Sequence, residues 1–117
     1  SLRKLASNRN TAEILEALQW IKKNFAAGTS VEELAGSVGM SVSSFHLHFK
    51  KVTGVSPLNY IRSFRLDRAR SMIATGQTTI GEAANAVGYK SNSQFSRYYM
   101  THFVSPPQEH LPRELAV

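Results

Sequence analysis

SVEELAGSVGMSVSSFHLHF, Ser30 to Phe49, and TIGEAANAVGYKSNSQFSRYY, Thr79 to Tyr99, are written in one grammar. Each opens on a hydroxyl residue, Ser30 or Thr79, followed by a β-branched residue and, three after the hydroxyl, by Glu33 or Glu82. That spacing is a capping box, in which hydroxyl and carboxylate satisfy free backbone donors at a helix start. Small residues follow, Ala35 and Ala84, then Val-Gly, then a Ser-rich turn that is one residue longer in the second copy. Beyond the turn each copy carries aromatics four apart, Phe45 and Phe49 or Phe95 and Tyr99, and each runs on to a proline, Pro57 or Pro107. A short helix crossing a second through small residues, with a glycine turn between them, is a helix-turn-helix. Two copies at matched spacing make the chain an internal repeat of that unit.

Outward from the repeat the pattern stays helical. Ile14, Leu18, Ile21 and Phe25 recur at helical spacing, so a helix is expected from Thr11 to Ala27, started by Asn10 with Glu13 and stopped by Gly28. Short helices are expected over 31–38 and 80–87, ended by Gly39 and Gly88, and Ser41 caps a helix that Gly54 breaks. Ser56-Pro57 opens a long helix to about Thr75, with Pro at the first helical position, where its missing N–H costs nothing. Its apolar content is Tyr60, Ile61, Phe64, Ala69, Met72 and Ile73. Ser91 with Gln94 predicts a third capping box. Pro106, Pro107 and Pro112 leave room for one last turn of helix. No stretch alternates as a strand. The expected fold is all-α, about seven helices: two helix-turn-helix subdomains, homeodomain-like, joined by a long linker helix. The expected divisions are 1–10, an N-terminal tail or linker from a further domain; 11–55, the first subdomain; 56–76, the linker helix; 77–107, the second subdomain; and 108–117, a C-terminal tail.

The chain has 117 residues, 42% hydrophobic and 19% charged, which is a globular balance. Lys and Arg number 14 against 8 Asp and Glu, a net charge of +6 that favours a polyanionic partner. There is no cysteine, which excludes disulfides, thiol catalysis and Cys-based zinc fingers and fits a reducing cytoplasm. No apolar run reaches the roughly 20 residues of a membrane-spanning helix, so no membrane role is expected. The opening at Ser1 in place of Met suggests a piece of a larger protein. Paired carboxylates in a shared motif, phosphate-binding glycine loops and metal clusters are missing, so no enzyme, cofactor or metal site is expected. A helical protein–protein module is the competing class, and it predicts no salt-dependent DNA affinity.

GMSVSSFHLHFKKVTGVSPLNYIRSFRLDRAR, Gly39 to Arg70, with AVGYKSNSQFSRYY, Ala86 to Tyr99, resembles the DNA-binding region of the AraC/XylS regulators of bacterial transcription. The likeness runs from about Thr11 to Pro107. It implies two recognition helices entering successive major grooves of double-stranded promoter or operator DNA. It further implies contact with RNA polymerase, an activator role, and a separate N-terminal domain that senses a small molecule or dimerises; this piece alone would be a monomer. The chain departs from the pattern in places. Leu47 stands where an Arg is usual, so the first unit would read thymine methyls or contribute little specificity. Val104 replaces a usual Gly and Pro106 a usual Ser, and Ala83 is smaller than the usual aliphatic residue, which would loosen the second unit.

With Phe45 and Phe49 inward, Ser43, His46, Leu47 and Lys50 fall on or near the opposite face of the first recognition helix. His46 is a candidate base or phosphate contact, and equally an ordinary exposed histidine; His46 and His48 point apart and make no metal pair. In the second helix Asn92, Ser93, Gln94, Ser96 and Arg97 form the reading set. The Arg97 fork suits guanine O6 and N7, or else a phosphate, and Gln94 is shared with its capping box. Lys50, Lys51, Arg62, Arg65, Arg68 and Arg70 concentrate charge between the units. Of these Lys51 and Arg62 join the DNA-binding set as phosphate contacts, while Arg65 and Arg70 could instead pair with Asp67 or neighbouring helices. Trp20, Tyr60 and Phe64 sit at core spacing.

Overall fold

A computed structural model describes residues 2–113, with side chains from residue 8 onward. Among them run six α-helices, α1 Leu2–Asn24, α2 Val31–Ser37, α3 Val42–Thr53, α4 Pro57–Thr75, α5 Ile80–Ala86 and α6 Asn92–Phe103, then a short 3-10 helix, Pro107–His110. No strand occurs among the described residues. The chain forms two compact units, residues 1–61 and 62–117, divided within α4. Residues 114–117 of the expected C-terminal tail lie outside the described residues.

In the first unit, Ile14, Ala17 and Ile21 of α1 line one helical stripe and are fully buried with Leu34, Ala35, Phe45 and Phe49. Leu18, Trp20, Phe25, Tyr60 and Ile61 close over that core, partly buried. The α1 boundaries differ from the expectation at both ends. The helix starts at Leu2, so Asn10 lies inside it and caps nothing. No glycine or proline interrupts residues 2–10, and Asn10 spends its amide on a tertiary contact with His48 at 3.1 Å. At the other end α1 stops at Asn24, short of Gly28, and the Asn24 side-chain amide donates to the Trp20 carbonyl at 3.2 Å.

Of the three capping boxes the sequence predicts, one closes. Thr79 accepts from the Glu82 N–H at 3.0 Å while the Glu82 carboxylate accepts from the Thr79 N–H at 2.8 Å. The backbone bond and the hydroxyl hold the Glu82 carboxyl below its ordinary pKa. Ser30 accepts from the Glu33 N–H, but Glu33 returns only to the Ser30 hydroxyl, at 3.3 Å. Ser91 accepts from the Gln94 N–H at 3.2 Å, and no bond returns from the Gln94 side chain.

In the second unit Leu66, Ala69 and Ile73 of α4 are buried, as are Ala83, Ala84, Val87, Phe95 and Tyr99. Leu66 is a core residue that the apolar reading of this helix leaves out. Ala83 is fully buried, and the Tyr89 ring, at the position of Met40 in the first repeat, lies 5.4 Å from that of Phe95.

Candidate nucleic-acid interface

The turn between α2 and α3 sets the first presentation. Gly39 takes φ 74°, a left-handed conformation, and the Met40 N–H donates to the Ala35 carbonyl at 3.0 Å. Ser41 then caps α3 through the Ser44 N–H at 3.2 Å. Phe45 and Phe49 stack inward at 5.5 Å, and Tyr60 meets Phe49 edge-on at the same distance. With that face committed to the core, Ser43, His46, Leu47, Lys50 and Lys51 are exposed on the remainder of α3, Leu47 to 54%. The two histidines separate as expected: His46 faces solvent, while His48 is half-buried against Asn10. No group of three potential metal ligands occurs among the described residues.

α5 and α6 repeat the device. Gly88 takes φ 100°, and the Tyr89 N–H donates to the Ala84 carbonyl at 3.0 Å. Phe95 and Tyr99 lie inward, ring centroids 5.4 Å apart. Asn92, Ser93, Gln94 and Arg97 are exposed, and Ser96 is half-buried. The Ser93 hydroxyl lies 3.3 Å from that of the cap Ser91, and Gln94 is free of the capping duty the sequence suggested. The Asn92 amide sits beside Gly81, where an added Cβ would meet its nitrogen at 3.5 Å, an ordinary contact. The Arg97 guanidinium has no hydrogen-bond or ion-pair partner among the described residues; only the Arg97 carbonyl is engaged, accepting from the Thr101 hydroxyl at 3.0 Å. The sequence reading misses Met100, which is 48% exposed one turn beyond Arg97. The face rule that selects Ser93 and Arg97, carried past Tyr99, would have found it.

The basic cluster divides by use. The Arg62 guanidinium lies over the Tyr98 ring at 4.2 Å, a cation–π contact. Arg70 lies 5.3 Å over Phe103, so it is engaged by a neighbouring helix and not by Asp67. Asp67 instead meets His102 Nε2 at 3.1 Å. Burial lowers the Arg65 pKa and raises that of Tyr89, each partly countering the other by its charge. Lys50, Lys51 and Arg68 remain exposed. Tyr99 is held by His110, hydroxyl to Nδ1 at 2.5 Å, and burial raises its pKa to about 12 against the opposing charge of Arg70.

Residues 34–113 match a protein family described as "Helix-turn-helix domain". The chain is similar to the HTH-type transcriptional activator RhaS of Klebsiella pneumoniae (strain 342), 28% identical over 109 residues that cover 93% of this chain and 39% of that protein. It is also similar to the lactose operon transcription activator of Staphylococcus xylosus, 32% identical over 91 residues, 78% of this chain and 33% of that protein. The chain thus spans about two fifths or less of the length of these curated relatives. Among solved structures it resembles an AraC-type transcriptional regulator from Chromobacterium violaceum, with 29% identity and TM-score 0.78 over 85% of this chain and 88% of that one. It shares its fold with the DNA-binding domain of the global transcriptional factor AdpA, solved with a target DNA, at 24% identity and TM-score 0.78 over 83% of this chain and 87% of that one.

Proposed function

The chain belongs to the AraC/XylS family of helix-turn-helix domains, and from that premise we propose that it is the sequence-specific, double-stranded DNA-binding part of a bacterial transcription regulator. The observation that carries this reading is the same in both units. α3 and α6 each commit an aromatic pair to the core and leave a polar and cationic face exposed on the other side. That is the form of a helix built to lie in a major groove. Ser43, His46 and Leu47 of α3 and Asn92, Ser93, Gln94, Ser96 and Arg97 of α6 read base edges, the two helices occupying successive major grooves. Lys50, Lys51 and Arg62 grip phosphates and set orientation without carrying sequence information. Arg97, exposed and unpaired, is the guanine reader. The regulator acts in the cytoplasm on promoter or operator DNA, as an activator touching RNA polymerase. This piece binds as a monomer, and dimerisation and effector sensing reside in a further N-terminal domain.

The test is selection of bound sequences from a random duplex library at two salt concentrations. Two short preferred motifs about one helical turn apart, with affinity falling as salt rises, are expected. Binding that ignores salt, or none, would overturn the reading in favour of a protein–protein module.

A further inference from the structure

We infer that Met100 is a base-reading residue of the second unit: it contacts the 5-methyl group of a thymine next to the guanine held by Arg97. The inference rests on the DNA-reading function proposed above and adds a base identity to it. At about 100° per residue, Ser96, Ser93, Met100 and Arg97 fall within roughly 100° of arc on α6, and Met100 lies near its middle. Arg97 lies opposite the buried Phe95 and Tyr99, Ser93 and Met100 lie beside it, and half-buried Ser96 borders the core face. Met100 is 48% exposed, an unbranched apolar side chain between Ser96 and Ser93 on an otherwise polar face, in a chain of net charge +6. The next polar group along the helix is not free to replace it, because the Thr101 hydroxyl is turned back onto the Arg97 carbonyl. A polyanionic groove is the surface complementary to Arg97. The apolar group that a major groove offers is the thymine methyl, and a flexible thioether adapts to it. From Arg97 to Met100 the helix rises about 4.5 Å, a little more than one base step of about 3.4 Å, so the two contacts fall on neighbouring pairs.

The first unit differs. There Leu47 stands at the position of Arg97, and Lys50, a phosphate contact, at that of Met100. Where α6 offers a guanidinium to a base, α3 offers an apolar group. The two half-sites are therefore unlike, and the preferred duplex is asymmetric.

The experiment takes the full 117-residue chain and the duplex preferred in the selection, and replaces each thymine in turn by deoxyuridine, which lacks only the methyl. At one thymine adjacent to the guanine whose preference is lost in Arg97→Ala, the unmodified chain is expected to lose about four-fold in affinity, the worth of one buried methyl. Met100→Ala is expected to be blind to that replacement, and Met100→Gln to change the preferred base there. Because Met100 is about half exposed and outside the core, neither variant endangers the fold, and helicity by circular dichroism checks it. Equal deoxyuridine losses for the parent and Met100→Ala, or none for either, would overturn the inference while leaving sequence-specific binding in place. Absence of any preferred sequence would overturn the underlying reading and this inference together.

Discussion

The two helix-turn-helix units keep the same interior geometry and differ in what they show to solvent. The aromatic pair at the heart of each has ring centroids 5.5 Å apart at 48° in one and 5.4 Å apart at 49° in the other. The bond that closes the turn, Met40 to Ala35 or Tyr89 to Ala84, is 3.0 Å in both. Ser41 and Ser91 cap the second helix, and Pro57 and Pro107 are both fully buried. On the exposed faces, by contrast, Leu47 and Lys50 stand where Arg97 and Met100 stand. A close-packed interior tolerates little change in shape, whereas a solvated face has no neighbours to satisfy until a ligand arrives. The repeat therefore conserves geometry inside and exchanges chemistry outside.

If the interiors are equivalent, removing the inner ring should cost the two units alike. Phe45→Ala and Phe95→Ala, both at fully buried positions, are each expected to destabilise by about 3–5 kcal/mol, read from denaturant midpoints. A difference of more than about 2 kcal/mol between them would break the equivalence.

The exposed faces should respond unequally. Arg97→Ala is expected to cost about 1–3 kcal/mol on the preferred duplex and to relax one or two base positions. Leu47→Arg should add a guanine preference of similar size to the first unit, seen in the same competition assay. Equal loss on every sequence for Arg97→Ala would demote it to a phosphate contact.

Tyr99 and Phe49 are the one place where the inner rings differ chemically, and pH separates them. Burial lifts the Tyr99 pKa from 10.0 to about 12, so the phenol is neutral in folded and unfolded chains below pH 10 and its contribution is intact there. As pH rises from 10 to about 12 the unfolded chain ionises first, and stability of the second unit falls. Burial shifts Tyr89 in the same direction. Alkaline unfolding followed by NMR should therefore begin in the second unit, and Tyr99→Phe should shrink the loss. An unfolding onset shared by both units would sink this account.

The smallest contrast concerns the residue that ends each recognition helix. Gly54 takes φ 84° at no steric cost; Val104 takes φ 54°, ψ 36°, a conformation that a β-branched residue adopts only under strain. Val104 is 82% exposed, so it gains little from burial in return. Val104→Gly is expected to stabilise the chain by about 1 kcal/mol, and Gly54→Val to destabilise it by at least as much, in thermal or denaturant melts. Destabilisation by Val104→Gly would show that unfolded-chain entropy outweighs the strain.

What the sequence determined by itself is whatever depends on neighbours a few residues away. Hydroxyl caps at Ser30, Ser41, Thr79 and Ser91, left-handed glycines at 39, 54, 76 and 88, and aromatics four apart mark α2 to α6, five of the seven helical elements, and the two exposed faces. Those signals act through single turns of backbone, so one chain read in order contains them. Local reading stopped where a partner lies far along the chain. Asn10 reads as a helix start, but His48, 38 residues on, takes its side chain and the helix runs through it. Asp67 sits beside arginines in sequence, yet its partner is His102, 35 residues away. Arg62 reads as a phosphate contact and Arg70 as a partner of Asp67 or of a neighbouring helix, and only packing decides that they lie over Tyr98 and Phe103. Which side chains are consumed by the fold and which remain for a ligand is a question of distances between residues remote in sequence, and tertiary structure alone answers it.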